Sequence, residues 1–294
     1  FFFKQKTAYE IPKRDWSSDV CSSDLRHASG GLIDMRNTLA IIERELRAYF
    51  NSPVAYVVLT IFVFLSGLFF KTILSSVLDA AMRQAMQGAQ FGRGPTPMDM
   101  PGIISQNYLN TMAVILLFMI PMITMALFSE EKKRGTMELL LTAPITDLQV
   151  VLGKFLAAVA FYAILMATTA LPMAVLYLYG TPASGPIFAA YLGILLYGLS
   201  LVSLGIFIST LTENQIIAAV LSFGTIMVLW LVDVAARNAD GVWKDVLSYL
   251  SILSHLNDFM SGVLSTSHIV FYLSLTLVGL FLTYRSIDSL RWRG

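Results

Sequence analysis

Cysteine, histidine and charged residues are all scarce in this sequence. It contains one cysteine, three histidines and 13% charged residues, whereas a soluble domain typically carries about 25% charge. A single cysteine excludes a disulfide framework within the chain and a cysteine-ligated metal site. Because 56% of the residues are hydrophobic and little charge is left to cover a water-facing surface, the composition indicates a membrane protein.

Motifs of common catalytic sites are missing as well. The one Gly-Lys pair, Gly153-Lys154, has Leu148 where a phosphate-binding loop needs its first glycine, and Phe155 where it needs serine or threonine. Neither an H-E-x-x-H zinc motif nor a G-x-S-x-G nucleophile motif occurs. A net charge of +1 argues against a nucleic-acid partner, because binding phosphates needs a concentrated basic patch. We therefore expect no enzyme activity, no metal and no cofactor in this chain.

Six apolar stretches are long enough to cross a bilayer core of about 30 Å, which takes roughly 17–25 helical residues. The predicted spans cover residues 54–70, 109–128, 151–179, 187–211, 216–232 and 269–284. The expected fold class is thus all-α, a polytopic membrane protein, and Pro172 predicts a kink or tilt in the third span. Buried helices of a large soluble protein are the alternative.

Ionisable residues offer little further chemistry. Proton- and ion-coupled carriers usually keep acidic or basic residues inside their spans, but we expect no buried ones here, since Lys71 and Asp233 lie only at span ends. A secondary carrier is therefore disfavoured, and the energy for any transport must come from elsewhere. His255, beside Asn257 and Asp258, is interpreted as an exposed interfacial residue rather than as a ligand.

Basic residues that flank the spans predict the orientation. Ten lie on the side of both termini: Arg36, Arg44, Arg47, Lys132, Lys133, Arg134, Lys154, Arg285, Arg291 and Arg293. Five lie on the other side: Lys71, Arg83, Arg93, Arg237 and Lys244. We therefore expect both termini in the cytoplasm, an N-in/C-in arrangement.

The first 25 residues, FFFKQKTAYEIPKRDWSSDVCSSDL, do not fit this pattern. KQKTAYE and DWSSDVCSSDL resemble the translation of sequencing-adapter DNA. We interpret residues 1–25 as an assembly artefact, residues 26–34 as upstream read-through, and Met35 as the expected start of one membrane domain over residues 35–294. A genuine disordered tail is the alternative.

The segment before the first span predicts a helix that lies in the plane of the membrane interface. In MRNTLAIIERELRAYF, the apolar residues Leu39, Ile42, Leu46 and Tyr49 recur at helical spacing and alternate with charged residues, a pattern typical of interfacial helices. A plain cytosolic amphipathic helix is the alternative. The Asn-Ser-Pro sequence that follows predicts a helix break and a new helix that begins with proline.

A charged cluster, SEEKKRGTMELLLTAP, follows the second span directly. Glu130 and Arg134 are i,i+4 partners on a predicted helix, Gly135 permits a sharp turn, and Thr136 is a candidate N-cap of a second short helix. Pro144 ends that helix. Residues 130–144, called the bend below, therefore predict a docking surface for a cytoplasmic partner. A merely solvated loop is the alternative.

EEKKRGTMELLLTAPITDLQVVLGKFLA resembles the signature of ATP-binding-cassette (ABC) type-2 permeases, an E-x-x-x-G-T-x-E-x-L-L-x-x-P pattern followed by G-K. RELRAYFNSPVAYV, SLGIFISTLTENQIIAAVLSF and LSHLNDFMSGVLS resemble the gliding-motility-associated branch of that family. In the family, the bent segment resembles a coupling helix seated in a groove of a separate ATPase subunit. By this resemblance, the ATPase contact comprises Glu130, Glu131, Arg134, Gly135, Thr136, Glu138, Leu139, Leu140 and Pro144.

The resemblance implies a permease subunit of an ATP-driven exporter in the bacterial inner (plasma) membrane. Two permease subunits, identical or different, would assemble with two cytoplasmic ABC ATPase subunits, and ATP and Mg would be bound by those partners. An accessory envelope protein is a further candidate partner. The alternative function is a membrane anchor of a motility or envelope complex without solute flux.

Overall fold

The computed structural model of the chain describes residues 35–90, 99–137 and 145–291, and within these ranges every regular element is a helix. The described helices are α1 Met35–Asn51, α2 Pro53–Gln90, α3 Met100–Thr124, α4 Ala126–Lys133, α5 Asp147–Thr168, α6 Ala170–Tyr179, α7 Ser184–Leu211, α8 Gln215–Asn238, α9 Val242–Leu250, α10 Ile252–Met260 and α11 Thr266–Arg291. The all-α fold class is confirmed.

Among the described residues, six helical segments are long and apolar enough to cross a membrane. Spans 1 to 6 cover Pro53–Gly88, Met100–Lys133, Asp147–Tyr179, Ser184–Leu211, Gln215–Asn238 and Thr266–Ser289. They confirm the six predicted spans. The predicted bounds were too short, most of all in span 1, because a helix continues past the apolar run wherever its backbone hydrogen bonds continue.

Spans 2, 3 and 4 form the centre of the helical bundle. In the most apolar stretch of each of these spans, 61–72% of the residues are buried within the chain, against 17–22% in spans 1, 5 and 6. One tyrosine from each central span, Tyr108, Tyr162 and Tyr197, is fully buried, and the Tyr162 hydroxyl donates to the Ile194 carbonyl at 2.6 Å. The peripheral spans present most of their apolar side chains outward, as lipid contact requires.

Two central spans are interrupted. Span 3 breaks at Thr169, between α5 and α6, three residues before Pro172. Proline has no N–H to donate and clashes with the preceding turn, so the interruption lies where Pro172 predicted a kink or tilt. Span 2 breaks at Met125, between α3 and α4, where a side chain from span 4 enters the helix.

The connections between the spans lie at two opposite ends of the bundle. Lys132 at the end of span 2 donates to the Thr210 carbonyl at the end of span 4, so α4 lies beside the short connection between spans 4 and 5. Asn214 caps α8 there, since its side chain accepts the Ile216 N–H at 2.9 Å. The helices α9 and α10, which connect spans 5 and 6, lie at the opposite end. Which end faces the cytoplasm remains a prediction from the basic residues.

Candidate coupling site

The helix α4 ends in a left-handed turn at Gly135. The φ angle of Gly135 is 68°, its N–H donates to the Lys132 carbonyl at 3.1 Å, and the Thr136 N–H donates to the Glu131 carbonyl at 3.1 Å. This pair of bonds is a Schellman motif, which satisfies the last carbonyls of a helix. Glycine adopts the required backbone angle at little cost because it has no Cβ. The predicted sharp turn at Gly135 is confirmed.

The outer side of the turn is polar and exposed. Glu130 and Arg134 form the predicted i,i+4 ion pair, and Gly135 and Thr136 are exposed as well. The Thr136 hydroxyl donates to the Glu131 carbonyl at 3.3 Å. Four further residues predicted to contact the ATPase lie outside the described residues: Glu138, Leu139, Leu140 and Pro144.

Glu131 faces the protein interior, where four charged side chains meet. Lys154 of α5, of which 1% is exposed, lies 2.9 Å from Glu131 and 3.1 Å from Glu45 of α1. Arg44 of α1 lies 2.6 Å from Glu45 and 2.9 Å from Glu131. These residues, called the four-charge cluster, connect α1, α4 and α5 at the base of the bend.

The cluster is held by more than its ion pairs. The Lys154 ammonium donates to the Leu127 carbonyl at 2.8 Å and lies 5.0 Å from the centre of the Phe128 ring. Burial alone would raise the pKa of Glu45, but Lys154 and Arg44 hold that pKa below its ordinary value. Burial opposes the charge of Arg44 too, yet the two carboxylates hold its pKa above the ordinary value. Glu45 and Arg44 are therefore ionised at neutral pH.

A glycine allows α1 to approach α5 closely enough for these ion pairs. Gly153 lies against Ile41 of α1, and a Cβ at Gly153 would be 2.6 Å from Ile41 Cγ2. Such a distance is much shorter than a van der Waals contact, so only glycine fits without a shift of α1. The Gly-Lys pair thus serves helix packing through Gly153 and ion pairing through Lys154, and neither role involves phosphate.

A serine from span 4 maintains the break between α3 and α4. The Ser209 hydroxyl accepts the N–H groups of Phe128 and Ser129 at 3.1 and 3.2 Å, and donates to the Met125 carbonyl at 3.0 Å. A hydroxyl that inserts into the hydrogen-bond ladder of a helix separates the two parts of that helix. The short α4, which carries the start of the bend, is therefore anchored to span 4.

Comparison with known proteins assigns the family. The family model described as "ABC-2 family transporter protein" matches residues 39–288. The chain belongs to this family. It is 29% identical over 153 residues to "Probable multidrug ABC transporter permease YbhR" of Escherichia coli strain K12, and equally to the protein of that name from Escherichia coli O157:H7. The aligned region covers 51% of this chain but 41% of each relative, which is less than half of their length.

Family membership supports a role of the chain as a membrane permease subunit of an ABC transporter. It also implies a membrane environment, in agreement with the six apolar spans. The predicted ABC type-2 family is confirmed. The resemblance to the gliding-motility-associated branch stays a prediction.

The apolar residues predicted to face the membrane interface lie in different surroundings in the permease. Leu39 is 60% exposed, whereas Ile42 and Leu46 are partly buried. Tyr49 packs inside, because its ring stacks on Phe161 with centroids 5.2 Å apart. Its end of α1 is therefore fixed to the permease core, and the interfacial position of the rest of α1 stays a prediction.

Three expectations about polar residues are wrong. Lys154 is a buried charge within span 3, and Asp233, expected to reach water, is buried between Arg237 at 2.6 Å and the Ser251 hydroxyl at 2.8 Å. His255, expected to be exposed, is 5% exposed. Each of these residues is compensated by partners, which offset the cost of desolvation.

Sequence reasoning therefore missed Glu45, Lys154 and Ser209 as members of the site. A usable signal existed for Lys154, since a lysine inside an apolar span needs a carboxylate partner. The structure shows Glu131 and Glu45 as these partners. Ser209 carried no such signal, because serine is common in the interior of membrane helices.

Proposed function

We propose that the chain is the membrane subunit of an ATP-driven exporter, and that the bend is the segment that couples it to the ATPase. The observation that carries this proposal is the four-charge cluster. It ties the base of the bend to α1 and to span 3 through a buried lysine. A displacement of the bend by a partner is thus transmitted to the spans as the movement of a rigid body.

The residues of the bend divide into two roles in this proposal. Glu130, Arg134, Gly135 and Thr136 are exposed or partly exposed and are available to the ATPase. Glu131 is engaged with Lys154 and Arg44, so we assign it a positioning role rather than a direct contact. Two ATPase subunits, which bind ATP and Mg, and a second permease subunit would complete the transporter.

The orientation belongs to the same proposal. The bend lies at the end of the bundle that collects most of the flanking basic residues, which supports a cytoplasmic position in a bacterial inner membrane. Reporter fusions after Arg134 should give a cytoplasmic signal, and fusions after Lys244 should give a signal from the outer face. The reverse pattern would overturn the orientation.

The coupling role is tested with substitutions at Gly135. Gly135→Val forces a β-branched residue into a left-handed conformation, at a cost of roughly 1–2 kcal/mol, whereas Gly135→Asn places a residue there that tolerates this conformation. We expect Gly135→Val to reach the membrane normally but to lower both co-purification of the ATPase and ATP hydrolysis by the complex. Gly135→Asn should retain most of both.

Gly67→Val is the matched control, because Gly67 has open space around it in span 1. It should leave the ATPase activity unchanged. Full ATPase activity and co-purification in Gly135→Val would mean that the bend is a solvated loop. ATP hydrolysis without any ATP-dependent flux in vesicles would favour the alternative of a membrane anchor.

A further inference from the structure

Two histidines form a chain of hydrogen bonds at the end of the bundle opposite the bend. His255 lies in α10, and His268 lies at the start of α11, where span 6 begins. Their Nδ1 atoms are 2.6 Å apart. His255 Nε2 lies 2.9 Å from the Tyr249 carbonyl oxygen, and His268 Nε2 lies 2.7 Å from Asp258 Oδ2. The chain of bonds therefore runs from a backbone carbonyl through both rings to a carboxylate.

The partners at the two ends determine where the protons lie. A carbonyl oxygen only accepts, so His255 Nε2 must carry hydrogen, and an ionised Asp258 likewise requires hydrogen on His268 Nε2. Between the two Nδ1 atoms there is room for one hydrogen. Two facing lone pairs would repel each other at this distance, and two facing N–H groups would clash.

The two rings together therefore hold one proton more than two neutral imidazoles would. We infer that His255 and His268 share this proton and form, with Asp258, a proton-binding site that fastens α10 to the start of span 6. The inference does not depend on the proposed transport function. In the proposed orientation, the site faces away from the cytoplasm.

The surroundings leave Asp258 as the charge that acts most directly on the pair. Tyr249 of α9 and Tyr272 of α11 face the pair directly, and Tyr197, Asp233 and Arg237 lie on neighbouring elements. Lys244 and Asp245 of α9 are exposed. Asp233 and Arg237 pair with each other at 2.6 Å, and the three phenols are neutral at ordinary pH. The proton on the histidine pair and the Asp258 carboxylate therefore balance each other.

The pattern of bonds exists only while the pair holds this one extra proton. A second proton, taken up in acid, would put N–H groups on both Nδ1 atoms and would make both rings cationic. Loss of the shared proton in alkali would leave two hydrogens for three contacts and would break one of them: the bond to the Tyr249 carbonyl, the bond between the rings or the bond to Asp258. The attachment of α10 to the start of span 6 is therefore strongest in an intermediate pH range, and it weakens at lower and at higher pH.

The effect of acid on this attachment follows from the pKa of His255. Burial and the charge of His268 hold the pKa of His255 below its ordinary value of 6.5, against the opposing effects of the Tyr249 carbonyl and Asp258. A histidine with a depressed pKa contributes stability above its unfolded value, and that contribution is lost as the pH falls from about 6.5 toward the folded pKa.

Only part of α10 should be released when the pair changes protonation. The Tyr272 hydroxyl donates to the Ile252 carbonyl at 2.7 Å, and this bond holds the beginning of α10 independently of the histidines. Among the described residues, the contact between Asp258 and His268 is the only hydrogen bond that joins residues 256–264 to α11. The rest of that attachment is packing of the Phe259 ring against the His268 and Tyr272 rings. Residues 255–265 should therefore respond to pH more strongly than residues 252–254.

Histidine-selective ¹⁵N solid-state NMR of the permease in liposomes tests the proton count. The sequence has three histidines, so His27→Gln leaves only the ring nitrogens of His255 and His268. At pH 7 we expect one neutral ring and one imidazolium. Two neutral rings, or two imidazolium rings, at pH 7 would overturn the inference.

Hydrogen–deuterium exchange tests the mechanical consequence. After correction for intrinsic rates, the amides of residues 255–265 should exchange about tenfold faster at pH 5 than at pH 7, which corresponds to the loss of about one net hydrogen bond.

Asp258→Asn should move the alkaline loss of protection to lower pH, because the charge that retains the shared proton is gone. Asp245→Asn, an exposed acid at the same end, is the matched control and should change nothing. Uniform protection from pH 5 to 9 would refute the fastening role.

Discussion

Lys154 lies 2.9 Å from Glu131, although most of the bend lies between these residues in the sequence. This ion pair closes the bend at its base, because one partner precedes the turn at Gly135 and the other follows Pro144. The ammonium group is almost completely buried, so water screens the attraction weakly. The start of the bend is therefore fixed to span 3.

Replacement of Lys154 should strongly destabilise the permease. Lys154→Met keeps the apolar stem but leaves Glu45 and Glu131 with Arg44 as their remaining cation. We expect a loss of about 3 kcal/mol, the cost of removing one partner from a buried ion pair, measured by thermal unfolding in detergent. Lys133→Met removes an exposed lysine from the same segment and is the control. Equal unfolding temperatures for the two variants would contradict a structural role for the cluster.

A methyl group at Gly153 should push α1 away from span 3. Gly153→Ala places its Cβ against Ile41, and overpacking of this kind costs about 1–3 kcal/mol. The double variant Gly153→Ala/Ile41→Ala should recover part of that loss, since it removes the atoms that clash. Gly67→Ala, which meets open space, should be nearly neutral. Failure of Ile41→Ala to restore any stability would exclude the close approach as the cause.

Two buried serines should respond in opposite ways to replacement by alanine. Ser209→Ala leaves the Phe128 and Ser129 amides without their partner, at a cost of about 1–3 kcal/mol. Ser222 is equally buried, but its hydroxyl has no hydrogen-bond partner among the described residues. Ser222→Ala should therefore be neutral or stabilising. Denaturation of both variants in the same detergent compares them directly, and an equal loss of stability would count against the role given to Ser209.

Acid should release α1 from the rest of the permease. The pKa of Glu45 is held below its ordinary value of 4.5, so the carboxylate stabilises the fold above about pH 4.5 and loses this effect as the pH falls through the folded pKa. Limited proteolysis of residues 35–51 should accelerate in that range. Glu45→Gln should abolish the acid dependence. Glu43→Gln, on the exposed side of α1, should retain it, and acid sensitivity that survives in Glu45→Gln would identify another group.

Local and composition-based features could be predicted from the sequence. Each span is an apolar run long enough to be recognised alone, and the turn at Gly135 follows from one residue whose backbone permits it. The ends of the spans were harder to predict from the sequence. For example, α2 continues through Lys71 and far beyond its apolar run. Helix length depends on continuous backbone hydrogen bonding, which the hydrophobic pattern does not record.

The pairings between helices could not be predicted. Glu45, Glu131 and Lys154 come from three helices, and no sequence spacing relates them. The same is true of Asp233 in α8 and Ser251, the N-cap of α10. A sequence does not distinguish a charged residue that is buried from one that is exposed, because a charge is buried only together with a partner, and the partner is not known from the sequence.

The difference in burial between central and peripheral spans has a consequence for variation in this permease. In spans 2, 3 and 4, side chains are enclosed by other side chains, so a substitution must preserve volume and shape. In spans 1, 5 and 6, most side chains face outward, and exchange of one large apolar residue for another leaves their surroundings almost unchanged. Libraries of random variants should therefore retain many sequences in the outer helices and few in the inner ones, although both sets are apolar enough to cross a membrane.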